Sequence, residues 1–176
     1  MINISALDPA RLQELIDRQD IYDLLMRFSR GVDRGDYDLA RSVYHHDALD
    51  HHTGFDGTAT EFMDWFRGAS AGLGAVHHML GNFMVEIRGD RAVSEVYGIL
   101  TMRGEDVNNA RFNMTTGFRY VDRLERRAGV WGITERWVVR DWQRSDMGAL
   151  MPKEALGPDG KRGRDDPLYE ALAYLD

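Results

Sequence analysis

All six histidines of this 176-residue chain fall in three adjacent pairs, His45–His46, His51–His52 and His77–His78. Histidine titrates near neutrality, so each pair is a candidate for proton transfer. On a strand, neighbouring side chains point to opposite faces, so one member of a pair faces a given interior. A histidine base needs an acid to hold it, and Asp33 is the first candidate. Tyr22, Met26, Ser29 and Asp33 lie on one helical line that borders the apolar stripe Ile21, Leu24, Leu25, Phe28 and Val32. His78 shares a strand face with Leu80, Asn82 and Met84, and His77 shares one with Met79, Gly81 and Phe83. The residues alone leave open which of the two faces a pocket. Arg136 is the third candidate. It alternates with Thr134, Val138 and Arg140, opposite an apolar face of Trp131, Ile133, Trp137 and Val139. Such an arginine either lines a polar pocket or pairs with Glu95 or Glu135.

Other chemistries fit less well. His45, His46, His51 and His52 stand near Asp47 and Asp50, but no His-x-x-x-His or His-Glu-x-x-His spacing occurs, so no metal is expected. No glycine-rich phosphate loop follows a strand, and no Gly-x-Ser-x-Gly elbow is present. There is no cysteine, which removes thiolate and disulfide chemistry. A net charge of −7 argues against nucleic acid and membrane surfaces as partners. The amino-terminal segment has no apolar core of the kind a leader needs, and no run of about 18 apolar residues occurs. The expectation is a soluble, cytoplasmic protein.

The elements that must position these residues follow from local signals. Asp8-Pro9 starts a long helix and Gly35 ends it. A short second helix fits Asp36 to Tyr44, a strand covers Ala48 to Thr53, and Gly54 and Gly57 bracket a turn. Phe62, Trp65 and Phe66 mark a third helix, which fades at residues 68–74. Four long runs rich in β-branched and aromatic residues come next: Val76–Ile87, Ala92–Met102, Arg111–Leu124 and Val130–Trp142. Turns fall at Gly89-Asp90 and at Arg126 to Gly129. The charged stretch 157–166 reads as extended, and Asp166-Pro167 caps a short final helix reaching Ala171, Leu172 and Leu175. Helices first and a mostly antiparallel sheet after them make an α+β layout.

With these features in place, the chain resembles a known family. The helix ending Gly31-Val32-Asp33-Arg34-Gly35-Asp36, then Tyr44-His45-His46-Asp47-Ala48 and Gly57, is similar to the SnoaL-like branch of the nuclear-transport-factor-2-like (NTF2-like) superfamily. So are His78-x-x-x-Asn82, Gly129-Val130-Trp131-Gly132-Ile133 and Arg136. The resemblance covers about residues 8–145. It implies an α+β cone, in which a curved sheet wraps N-terminal helices around a deep apolar pocket. The domain then spans 1–147, with 148–176 an extension packing on it, near the pocket mouth.

Within that branch the chain looks like the cofactor-independent lyases: the hexachlorocyclohexane dehydrochlorinase, bile-acid dehydratase and scytalone dehydratase families. The resemblance implies an Asp33–His78 dyad and a site arginine, Arg136 or alternatively Arg140. The bile-acid family's tyrosine is unmatched, with Phe28 near its place, which leaves Tyr97 or Tyr120 to substitute. Tyr22, Phe28, His52, Asn82, Tyr97 and Tyr120 complete the set of candidate substrate contacts. The implied activity is elimination on a hydrophobic aromatic or polycyclic small molecule, without cofactor. A ketosteroid-type isomerase, a formaldehyde-releasing lyase on a diaryl compound and a non-catalytic binding module are the alternatives. The resemblance, with an apolar outer sheet face, also implies a homodimer or homotrimer.

Overall fold

The computed structural model describes residues 8–104, 113–145 and 161–173. The elements are α1 (Pro9–Arg34), α2 (Tyr37–Arg41), β1 (Tyr44–His52), β2 (Phe55–Thr58), α3 (Ala59–Ala69), β3 (Leu73–Arg88), β4 (Arg91–Gly104), β5 (Met114–Arg127), β6 (Val130–Ser145) and α4 (Pro167–Leu172). One six-stranded sheet runs in the order β2-β1-β6-β5-β4-β3. The β1–β6 pair is parallel and the other pairs are antiparallel. The sheet curls without closing, and α1 and α3 fill its concave side. This is the α+β, NTF2-like cone that the family resemblance implies.

Helix α1 sets the geometry. The Asp8 side chain accepts the Ala10 N–H at 3.0 Å, Pro9 occupies the first turn, and Gly35 takes a left-handed φ of 67° at the C-cap. Its 26 residues extend about 39 Å at 1.5 Å per residue. Ile21, Leu24, Leu25, Phe28 and Val32 are buried along one stripe against the sheet. Asp33 therefore arrives in the last turn, at the edge of that stripe, facing β3. Helix α3 starts with a complete capping box between Thr58 and Glu61, and its Phe62 and Met63 are buried. The rings of Phe62, Trp65 and Phe66 form an aromatic wall opposite the sheet.

Several local expectations are corrected. Helix α2 stops at Arg41, not Tyr44, because Val43 joins the parallel pairing by accepting the Ile133 N–H at 2.9 Å. The strand expected from Ala48 therefore begins at Tyr44. Strand β3 reaches back to Leu73, and β5 runs on to Arg127, so its hairpin turn shrinks to Ala128-Gly129. Residues 111–112, 157–160 and Leu175 lie outside the described residues.

Two of the sheet's bulges reverse expected strand faces. Asn82, at φ 36°, has no partner on β4, and the register jumps from Gly81–Tyr97 to Phe83–Val96. Phe83 and Val85 turn inward with His78 and Leu80, whereas Met84 is left exposed. Thr134 is skipped between the Arg123–Glu135 and Leu124–Ile133 pairs. Trp131 and Ile133 thus share the core side with Arg136, and only Trp137 and Val139 remain on the outer face expected for all four.

The 161–173 segment lies against the α1–α2 corner. Gly163 N–H donates to Arg34 O at 2.5 Å, Arg162 reaches the Tyr37 hydroxyl at 3.1 Å, and Arg34 lies 3.3 Å from Asp166. Among the described residues no helix is long and apolar enough to cross a membrane.

Candidate active site

Asp33 and His78 come together from elements far apart in sequence. The His78 backbone N–H donates to Asp33 Oδ2 at 3.1 Å, and the His78 ring Nδ1 lies 2.6 Å from Asp33 Oδ1. Both side chains are nearly buried, at 4% and 12% exposure for His78 and Asp33. A carboxylate on Nδ1 assigns the ring proton to that nitrogen and leaves Nε2 with its lone pair, the arrangement a general base requires. The ring is further fixed by an edge contact with Phe118, at 5.9 Å between centroids. Phe118 itself lies flat over Gly98, where a Cβ would sit 2.2 Å from the Phe118 ring.

A second pair is built on β1. Asp50 and His52 are two residues apart on a strand and share its inner face. His52 Nδ1 hydrogen-bonds Asp50 Oδ1, and the Tyr44 hydroxyl donates to Asp50 Oδ2 at 2.5 Å. Asp50 is fully buried, and the His52 ring stacks on Phe62 at 4.0 Å. Burial pushes the Tyr44 phenol well above its ordinary range, and Arg136 opposes the rise. In the sequence Asp50 stands among metal-type ligands, with Asp47 and four histidines. The Asp-x-His spacing on a strand was the signal for its role beside His52.

Arg136 does not reach the cavity. Its Nε and Nη2 donate to the two Asp122 oxygens at 2.7 and 2.6 Å, and both residues are fully buried. The guanidinium is sandwiched between the Phe28 and Tyr120 rings, at 4.3 and 4.1 Å. Burial works against the charge, but Asp122 together with the Tyr44 and Tyr120 hydroxyls outweighs it and holds Arg136 protonated. The expected partners are engaged elsewhere: Glu95 takes Arg119 and Glu135 takes Arg123. Among the described residues Arg140, two turns of the pleat further on, is the arginine that lines the cavity.

The cavity measures about 400 Å³ and opens between α3 and the sheet. His52, His78, Phe28 and Tyr120 line it, with Arg140 and Gln143 at the exposed rim. Burial raises the Tyr120 phenol far above its ordinary range, so it is a neutral hydroxyl. The remaining lining is mostly apolar. Asp33 and Asp50 stand behind their histidines.

Three expected contacts fall elsewhere. Tyr22 packs edge-on against Phe83 at 5.5 Å, Asn82 sits exposed at the bulge, and Tyr97 is on the outer sheet face, 44% exposed. The other histidines are also separated: His45 bonds the Glu125 carbonyl, and His51 faces Asp56 and Glu135 outside. No cluster of three or more His, Asp or Glu side chains suited to a metal occurs among the described residues.

The family profile described as a SnoaL-like domain matches residues 13–137. Uncharacterised proteins of Mycobacterium tuberculosis and Mycobacterium bovis are 34% identical over 86 residues, 47% of this chain and 58% of theirs. The chain thus spans little over half the length of the curated relatives it matches. Among solved structures, a type 2 hexachlorocyclohexane dehydrochlorinase superposes with a TM-score of 0.72 at 18% identity, covering 83% of this chain and 99% of that one. A candidate scytalone dehydratase of Novosphingobium aromaticivorans gives a TM-score of 0.67 at 11% identity, covering 82% and 97%. At these identities the shared property is the fold.

Proposed function

The chain belongs to the SnoaL-like domain family, and from that premise we propose that it is a lyase acting by elimination on a hydrophobic aromatic or polycyclic small molecule. The observation that carries this reading is the Asp33–His78 pair at the wall of an apolar cavity. His78 Nε2 removes a proton from a substrate carbon. The C–H electrons form the new double bond, and the bond to the leaving oxygen or halide breaks. Asp33 fixes the tautomer and stabilises the imidazolium that results.

The Asp50–His52 pair favours elimination over isomerisation. An isomerase returns the proton to carbon, whereas elimination of water needs a proton for the departing oxygen. In this reading His52, which lines the cavity with its Nδ1 held by Asp50, supplies that proton. The small-molecule occupant follows from the cavity's size, since ligand pockets run from about 300 to 1,000 Å³.

The test is a panel of hydroxylated and halogenated aromatic and polycyclic compounds, incubated with protein in D₂O and followed by mass spectrometry. Loss of water or hydrogen halide, absent with His78→Ala, supports the lyase reading. Deuterium uptake without loss of a fragment would identify an isomerase. Binding without any conversion would leave a binding module.

A further inference from the structure

The charge around the cavity is lopsided. Among the described residues that line it, none carries a carboxylate. Asp33 and Asp50, which stand behind the lining histidines, are engaged by His78 and His52. Arg140 is the guanidinium in the lining. On the same hairpin Arg119, Arg123, Arg126, Arg127 and Arg136 each grip a carboxylate. Arg140 donates instead to a neutral amide, the Gln143 Oε1, at 3.0 Å. This leaves most of its donor fork open beside a deep apolar slot, in a chain whose net charge is −7.

The position along β6 gives the slot a polarity. Arg136 is fully buried below the floor, Val138 is half-buried in the wall, and Arg140 and Gln143 are exposed. The histidines and Tyr120 lie inside this rim. A ligand complementary to this gradient has an apolar ring body for the interior and an anion for the mouth.

We propose that the substrate is amphipathic, a flat body of two or three rings bearing a carboxylate, which Arg140 and Gln143 hold at the cavity mouth. A guanidinium fork matches a carboxylate with two parallel hydrogen bonds, and the Gln143 amide nitrogen, which gives one N–H to Met114 Sδ at 3.2 Å, has a second N–H to offer. Anchoring the anion at the rim puts the opposite end of the ring body among His78, His52 and Tyr120. The inference rests on the lyase reading for what happens there, but the anchor is a property of binding alone.

A matched pair of fluorescent probes tests it: anthracene-2-carboxylate and its neutral counterpart 2-(hydroxymethyl)anthracene. Wild-type protein should bind the carboxylate about tenfold more tightly than the alcohol at low salt, the scale of one charge-assisted hydrogen bond. The preference should shrink as salt rises. Arg140→Gln should abolish it without weakening the alcohol, and Arg140→Lys should retain part of it. Leu100→Trp, which fills the cavity, should weaken both probes. Equal affinities in wild type, an undiminished preference in Arg140→Gln, or carboxylate binding indifferent to Leu100→Trp would each overturn the proposal. His78→Ala should keep the preference. If wild type shows the preference but converts none of the hydroxylated and halogenated compounds, the lyase reading fails and the anchor stands.

Discussion

Replacing Arg136 by methionine should unfold much of the protein's stability margin while leaving the chemistry of the cavity in place. The side chain is fully buried, and its fork to Asp122 spans 2.6–2.7 Å. Two unit charges about 4 Å apart attract by about 4 kcal/mol at an effective dielectric of 20. Removing one partner of a buried pair costs about 3–5 kcal/mol, because the other charge is left uncompensated. Asp122 would be such a charge, near a second buried carboxylate, Asp50. For a domain of this size that loss corresponds to a fall in Tm of roughly 6–20 °C. The assay is urea unfolding followed by circular dichroism, with calorimetry for Tm. Arg136→Met with Asp122→Leu should recover most of the loss, since it removes both charges and fills the volume. The double variant keeps the reasoning testable if the single one fails to fold. A single variant within about 1 kcal/mol of wild type would refute the structural role of the pair. So would a double variant no more stable than the single one.

Three other outcomes follow from the geometry. In nitrogen-15 spectra of labelled histidine, neutral His78 should carry its proton on Nδ1, and Asp33→Asn should shift the population toward Nε2–H; an Nε2–H tautomer in wild type would contradict the hydrogen bond to Asp33. Backbone N–H groups of Lys161 and Leu168, with Arg34, hold the Asp166 carboxyl below its ordinary pKa of 3.8. A depressed acid stabilises the fold above its unfolded pKa and loses that contribution as pH falls through the folded value. Amide exchange across 161–173, corrected for intrinsic rate, should therefore accelerate below about pH 4, and equal protection at pH 3 and pH 6 would contradict the cap. Asn82→Gly should leave turnover unchanged and stability within about 1 kcal/mol, because a glycine accepts the φ of 36° and the side chain is away from the cavity; a large loss of turnover would return Asn82 to the site.

Much of the architecture was legible because its signals are local. Asp8-Pro9 and Gly35 set the ends of α1, and the helical stripe from Ile21 to Val32 set its buried face. Those two facts place Asp33 at the edge of the core. The histidine opposite it depended on strand alternation, which holds from Val76 to Leu80. Alternation fails beyond a bulge, and one unpaired residue exchanges the faces. Asn82 and Thr134 are such residues; Gly81 beside Asn82 marks the first only weakly, and nothing adjacent marks the second. This is why Met84, Trp131 and Ile133 were assigned to the wrong faces. Arg136 was harder for a different reason. Its strand face was read correctly, but depth along the strand has no periodic signal. Whether an inward arginine meets the cavity or a buried acid depends on Asp122, contributed by the neighbouring strand. Asp50 was hidden by composition, since four histidines and two aspartates within residues 45–52 look like ligands until alternate side chains are separated.

The central claim is that His78, held by Asp33, is the base of an elimination. It is tested most directly by the turnover of His78→Ala on a compound that the wild-type protein converts. General base catalysis contributes about 10²–10⁴-fold, and kcat should fall on that scale. Circular dichroism should stay as in wild type, since the alanine removes the ring and not the fold. Turnover by His78→Ala within a fewfold of wild type would contradict the account.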